Sequence, residues 1–409
     1  MTKRRIDPLH FKGIDFIPAL SGLIGKTALV TSFAVVWASE LQLTNPDFIF
    51  ENVRIEMIIG SIITLLAALL LPGIAPSGTL APLIVLVPTM AALGVHPFIL
   101  SLWVGFIGII SIRTKLFHKL ISLSGAISKT SLTLTIGISG VLLSLKNMNS
   151  FFGEKRTPFL LIVIILSVVF IILRKWNKIW LIVPVAAVIS IFISFIYEIT
   201  PDRVNNISLP SFNPSYWWND MWGIGFGSDL LTILKTLPFA FFVLLLWAID
   251  TISITTMLEA NYKPNEKREK INIDNSFLIA SSRNMIGGII GGAQTSALWR
   301  SFLIPLFMVK RPLRPASVLL GILGIIAGFT ALPIKVLSFP PLIWSVLLFG
   351  IFLPFVIVGF RNLMTTKNPL HKAAILIFTA AGIWSSLMIT WIGAIAYEKI
   401  DQSIHKNIS

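Results

Sequence analysis

The chain has 409 residues, of which 55% are hydrophobic and only 12% charged, and its mean hydropathy is +0.86. Soluble domains carry about a quarter charged residues, so a soluble globular fold is excluded; the absence of cysteine excludes disulfides, thiolate metal sites and a cysteine nucleophile. The net charge of +15 does not point to nucleic acid, because its distribution follows the pattern expected of loops on one side of a membrane.

Apolar runs long enough to cross a bilayer recur from end to end, which predicts an all-α polytopic membrane protein; the short alternating segments of a β-barrel are missing. Residues 1–14 form a basic N-terminus without a small-residue cleavage site, so no removable signal peptide is expected. In the first half, hydropathy predicts spans at 16–36, 55–71, a short one at 80–93, then 97–112, 120–143, 158–173 and 179–196. Residues 199–228 join the halves and carry "NPSYWWNDMW", whose Tyr216, Trp217, Trp218 and Trp222 read as an interfacial aromatic belt. The second half gives 230–255, 276–290, a short one at 295–309, 316–332, 341–360 and 373–397. The last stretch is too long for one ordinary span and has Gly382, Ser385 and Ser386 near its middle, so it divides into two short tilted helices. Residues 259–275 are the most polar internal stretch and read as a solvated cytoplasmic connector.

The reading is therefore fourteen transmembrane segments, as a 7+7 inverted repeat over residues 15–198 and 229–398, with a short tail at 399–409. Most of the 33 Lys and Arg residues fall at the termini and in alternate loops, while the intervening loops hold only Arg54, Lys146, Lys155, Arg156, Arg203 and Lys335. That asymmetry places both termini in the cytoplasm and the chain in the inner (cytoplasmic) cell membrane.

The third predicted segment is interrupted. "LPGIAPSGTLAPLIVLVP", from Leu71, is apolar enough for a span but contains prolines, glycines, a serine and a threonine. "GGIIGGAQTSALWRSFLIPL", from Gly287, has the same order of features at the corresponding place in the second half. Paired interruptions in two halves are the mark of broken helices in a transporter. Half-helix starts near Thr79 and Thr295 would leave unpaired backbone N–H groups carrying partial positive charge inside the membrane. Ser77, Gly78, Thr79, Gln294, Thr295 and Ser296 are thus candidate substrate-binding residues, with Trp247 and Asp250 of "LLLWAIDTISITT" one helical turn apart beside them.

Charges inside a span cost about 2.5–3.5 kcal/mol each even on lenient scales and are functional by default. Asp250 is the only acid well inside a predicted span, a candidate for coupling or binding. Lys26 is expected to pair with Asp250 or with a substrate anion, and Arg283 and Arg300 either balance charge or snorkel. Arg300 is expected about 9 Å into the half-helix that follows Gln294. Lys129 and Lys235 are expected to snorkel. His10, His96, His118, His371 and His405 have no metal-ligand spacing, and no hydrolase or nucleotide-binding motif occurs. No enzyme activity, metal or cofactor is expected, other than H⁺ or Na⁺ as a coupling ion.

Several stretches resemble an uncharacterised family of bacterial membrane proteins related to the sulfate permeases and the uracil/xanthine permeases. They are "IPALSGLIGK", "ENVRIE", "LPGIAPSGTLAPLI", "NPSYWW", "LLLWAID", "EKINIDNSFLIASSRNMIGGIIGGAQTSALW" and "VKRPLRPAS". The resemblance implies core and gate domains, a homodimer, and a substrate held between the broken third and tenth segments beside the eighth. Asp250 falls where nucleobase permeases keep a substrate-binding glutamate. The glutamate–histidine pair of some of those permeases is here Asp250–Thr251, and the tenth segment offers Gln294 in place of a carboxylate. The cytosolic regulatory domain usual in sulfate permeases is not expected after Tyr397. The expected function is a secondary transporter of a small anion or polar organic solute, working by alternating access in a lipid bilayer. A proton-coupled nucleobase-like permease, and an anion channel or non-transporting scaffold, are the alternatives.

Overall fold

A computed structural model describes residues 9–153, 156–196, 209–227, 229–261, 271–292, 294–331 and 341–408. The basic run at Lys3, Arg4 and Arg5, the charges at Lys155, Arg203 and Lys335, residues 199–208 and 228 of the inter-half linker, the centre of the polar connector, Ala293 and Leu332 lie outside the described residues.

The first half begins with two long helices, α1 (Phe16–Glu40) and α2 (Phe48–Leu70). A three-residue strand, β1 (Ser77–Thr79), then leads through a 3₁₀ segment (Ala81–Leu86) into the short α3 (Val87–Ala92). α4 (Pro97–Arg113), α5 (Leu116–Ser122), α6 (Ala126–Phe152), α7 (Arg156–Lys175) and α8 (Ile182–Ile196) follow. A single turn, α9 (Pro214–Tyr216), runs into a π-turn and precedes α10 (Leu230–Asn261), α11 (Ile273–Ile290), β2 (Ser296–Leu298) and α12 (Arg300–Val309). The chain closes with α13 (Leu313–Thr330), α14 (Pro341–Thr365), α15 (Pro369–Trp384) and α16 (Leu387–Ile408). Among the described residues 7 helices are long and apolar enough to cross a membrane, or 8 if α4 and α5, bent by 79° at their junction, form one span. α12 and α15 are apolar but shorter, and α11 falls outside this set while carrying Asp274 and Arg283.

Hydropathy misplaced several boundaries, each for a physical reason. α2 starts at Phe48, about two turns before the predicted 55, and buries Asn52, Arg54 and Glu56 completely. A window average penalises those polar residues although each has protein partners. The segment predicted from 120 divides at Leu123–Gly125, because Gly125 is extended at the N-cap of α6. The long final stretch breaks at Ser385–Ser386, at the serine pair the sequence singled out.

Small residues permit the closest helix contacts, as expected where lipid leaves no hydrophobic drive between helices. α13 lies on α2 through Gly321, Gly324 and Gly328, which face Leu65, Ser61 and Ile58. α4 and α11 make the corresponding pair, with Gly105 and Gly108 against Met285 and Ser281 and with Gly288 against Phe98. α6 and α14 form the third close pair, where Gly137 and Gly140 receive Val356 and Phe352. The helices thus fall into two packed groups. One contains α1–α4 with α10–α13, and the other α6–α8 with α14–α16; α1 and α10 touch both.

The aromatic stretch of the linker packs into the fold. Trp217 and Trp222 are buried, and Trp222 stacks edge-on against Trp37, Phe48 and Phe98. The indole N–H groups of Trp218 and Trp222 donate to the carbonyls of Ile289 and Gly291 at 2.8 and 2.7 Å, satisfying the otherwise unpaired end of α11. The predicted interfacial belt is corrected in part: Trp217 and Trp222 are buried inside the fold, and Trp218 and Trp222 cap a helix end.

Candidate functional site

The two interruptions meet. β1 and β2 pair antiparallel with Ser77 opposite Leu298, Gly78 opposite Ala297 and Thr79 opposite Ser296. Leu80 N–H donates to Thr295 O and Trp299 N–H to Pro76 O, both at 2.9 Å, so the crossing strands satisfy one another's backbone. Gly78 is required by this approach: a Cβ there would lie 2.5 Å from the Trp299 Cα. The polar turns are therefore short strands, correcting the expectation of helix starts at Thr79 and Thr295. The helix proper begins at Arg300, which is its first residue and does not lie 9 Å along it.

Behind the crossing is a continuous polar network. Trp247 Nε1 donates to Ser296 O at 2.9 Å, and Asn284 Oδ1 accepts from Ser296 N–H at 2.6 Å. Arg283 donates to Ser296 Oγ and forms an ion pair with Glu56. Gln294 Nε2 donates to Glu56 Oε2 at 2.6 Å, and Thr79 Oγ1 donates to Gln294 Oε1. α2, α10 and α11 thereby hold both strands through side chains. Every group named here is at most 6% exposed, so in this low-dielectric setting each unmade bond would be costly. Glu56 and Asn284 were missed from sequence. Glu56 escaped because the predicted span began one residue before it, so Asp250 is not the only acid buried in a span.

The second ion pair joins α10 to α12: Arg300 binds Asp250, and both are buried. The Arg300 guanidinium also faces the rings of Phe355 and Phe352, at 4.9 and 5.8 Å from its carbon. Its Nη1 has no hydrogen-bond acceptor among the described residues. Arg300 therefore does not snorkel, and the predicted pairing of Lys26 with Asp250 is replaced by Arg300 with Asp250. Lys26 is 1% exposed, lies 4.3 Å above the Trp299 ring, and its Nζ has no acceptor among the described residues. Of the two cations expected to snorkel, Lys235 is exposed and Lys129 half-buried.

Beside the ion pair is a cavity of about 330 Å³ between the two helix groups. Ala81, Pro82 and Leu86 line it directly after β1, with Phe242 and Leu246 of α10, Ser139 and Gly140 of α6, and Ser385 and Ser386 at the α15–α16 break. Phe352 belongs to both places: its ring lines the cavity and lies against Arg300. The volume suits a small solute, and its walls are mostly apolar with a few polar groups at the edges, as in ordinary ligand sites. No cluster of three or more His, Cys, Asp or Glu side chains able to hold a metal occurs among the described residues.

The chain belongs to the family described as "Protein of unknown function (DUF3360)", whose match covers residues 6–398. No curated protein matches it in sequence. Its fold is shared with solved transporters. The transmembrane domain of a cyanobacterium bicarbonate transporter, BicA, aligns with TM-score 0.59 and 16% identity over 94% of this chain and 98% of that one. The structure of SLC26A9 aligns with TM-score 0.56 and 14% identity over 94% of this chain. Murine Slc26a9, described as an anion transporter in the inward-facing state, aligns with TM-score 0.56 and 13% identity over 99%. The chain spans 64% and 74% of the lengths of those two proteins. The relationship to the sulfate-permease group implied by the motifs thus holds at the level of fold.

Proposed function

We propose that this protein is a secondary transporter of a small anion, working by alternating access in the cytoplasmic membrane. The observation that carries the reading is the buried Arg300, which stands at the strand crossing, is shared between Asp250 and the cavity wall, and has a donor without an acceptor. Around the crossing, Arg283 and Arg300 pair with Glu56 and Asp250 among the described residues. The paired charges cancel, so the free Arg300 donor is what an anion meets at this site. An anion entering it recovers Coulomb energy that water would otherwise screen. The likeness in fold to a bicarbonate transporter and an anion transporter supports the same substrate class.

Two inverted repeats of seven segments account for the packing. Counting each strand with its short helix as one segment makes β1–α3 the third and β2–α12 the tenth. The contacts then exchange between halves: α2 with α13 corresponds to α11 with α4, and β1–β2 and α6–α14 correspond to themselves. In this scheme the group containing both strands is the core that carries the substrate, and the α6–α8 and α14–α16 group is the gate it moves against. Both termini are cytoplasmic by the distribution of basic residues, and a homodimer follows the family resemblance. H⁺ or Na⁺ coupling is retained.

A nucleobase permease is less favoured because Asp250, which would have to accept from a base N–H, is already occupied by Arg300. The test is ligand stabilisation of the purified protein. Small anions such as chloride, bicarbonate, nitrate, formate or sulfate should raise its melting temperature, while uracil and xanthine should not. Stabilisation by a nucleobase alone would overturn the assignment.

A further inference from the structure

Lys26 is the one buried charge at the crossing whose position the anion reading does not explain. Its Nζ lies where a side chain at Gly60 of α2 would otherwise stand, and the same missing Cβ would lie 3.6 Å from Arg283 Nε. Two cations thus flank one glycine. The neighbouring carboxylate, Glu56, stands one turn earlier on α2 and is committed to Arg283 and Gln294. The charged groups on the other elements packed against α1 are turned elsewhere. Arg300 of α12 binds Asp250, Arg311 binds Asp15 before α1, and Arg314 at the start of α13 donates to Ala68 O. Arg361, towards the end of α14, donates to Ala260 O. β1, α3 and α8 contain no titratable residue. The partner that remains for Lys26 among the described residues is the face of Trp299, a far weaker hold on a desolvated ammonium than a counter-ion.

From this geometry we infer that Lys26 is the proton-coupling group of the transporter, neutral when the anion site is empty and protonated when it is filled. The inference rests on the anion-transport reading and deepens it. A neutral amine fits a pocket that offers no acceptor. An anion bound near Arg300 supplies the missing negative charge, and Trp299, the residue before Arg300, links Lys26 to that position. The step balances: one anion and one proton enter from the same side, the proton sits on Nζ as –NH₃⁺, and both leave together. For a monovalent anion the cycle moves no net charge.

The experiment uses the full chain in proteoliposomes clamped at zero membrane potential. From a panel of chloride, bicarbonate, nitrate, formate and sulfate, the monovalent anion that exchanges fastest serves as probe. In the wild type, an inward proton gradient of one pH unit should concentrate it up to about tenfold, the limit for one proton per anion. Lys26→Met should abolish that accumulation while anion-for-anion exchange persists, because exchange requires no net proton movement. Lys26→Gln repeats the test with a polar neutral side chain should the methionine variant fold poorly. Gradient-driven accumulation undiminished in these variants, or absent from a wild type that exchanges anions, would overturn the assignment of Lys26. Absence of exchange with every anion would instead overturn the transport reading on which it rests.

Discussion

Asp250→Asn removes one partner of a buried ion pair and leaves the Arg300 charge, which is 4% exposed, facing two phenyl rings and an amide. Breaking a buried pair from one side costs about 3–5 kcal/mol, because the remaining charge is neither solvated nor paired. Arg300→Met leaves an acid that can bind a proton and shed its charge, so it should cost less. The double variant leaves no charge behind and should be at least as stable as either single variant, since the cost of breaking a buried pair lies in the uncompensated charge that remains. The assay is a double-mutant cycle of equilibrium unfolding in mixed micelles. A coupling of about 2 kcal/mol or more is expected, and single-variant costs that add to within about 0.5 kcal/mol would refute the pairing. Transport separates from stability in the same set: the double variant should fold but not exchange anions, because the donor that meets the anion is gone.

Gly78→Ala should disrupt the crossing. A Cβ now 2.5 Å from the Trp299 Cα forces the strands apart and weakens the two 2.9 Å bonds at their ends, at about 1 kcal/mol each; a variant with unchanged unfolding and exchange would contradict the predicted contact. Glu398 of α16 accepts from the N–H groups of Gly125, Ile127 and Ser128 and from Ser128 Oγ, so it caps α6 from another helix. Glu398→Ala should cost about 1–3 kcal/mol and speed hydrogen exchange at the start of α6, whereas protection equal to wild type there would show that the cap is dispensable. His96, in the loop before α4, packs against Gly227 and Phe98, and burial holds its imidazole pKa below the usual value despite opposing carbonyl contacts and Asp229. The unfolded chain therefore binds more protons between that lowered value and about 6.5, so stability should fall as pH drops through this window. His96→Phe should remove that part of the pH dependence of melting, and an unaltered pH profile would contradict it.

Much of the site was legible because it violates the grammar of a plain membrane helix. "PSGT" and "QTS" stood out as polar turns in apolar surroundings, and the structure brings Thr79 opposite Ser296. Their form was not legible: two three-residue strands are stabilised only by each other across the fold, and no local pattern encodes that pairing. Asp250, Arg283, Arg300 and Lys26 were conspicuous as charges in spans, yet which acid meets which base depends on helix rotation that hydropathy does not contain. Glu56 was hidden by the same averaging that found the spans: the polarity of "ENVRIE" moved the predicted start to 55 and left Glu56 at its edge, and the partners supplied by Gln294 and Arg283 make its burial tolerable. The tryptophans of "NPSYWW" were read by composition, while their indole N–H bonds to the end of α11 arise from tertiary structure.

Anion counterflow in proteoliposomes tests the central claim most directly. Vesicles loaded with each panel anion, then exposed to a trace of the same labelled anion outside, should take up label transiently and saturably for at least one anion, and Arg300→Met should abolish the uptake. A flux that rises linearly with concentration would mean a channel. No counterflow with any anion, or counterflow undiminished in the Arg300 variant, would contradict an anion carrier built on this crossing.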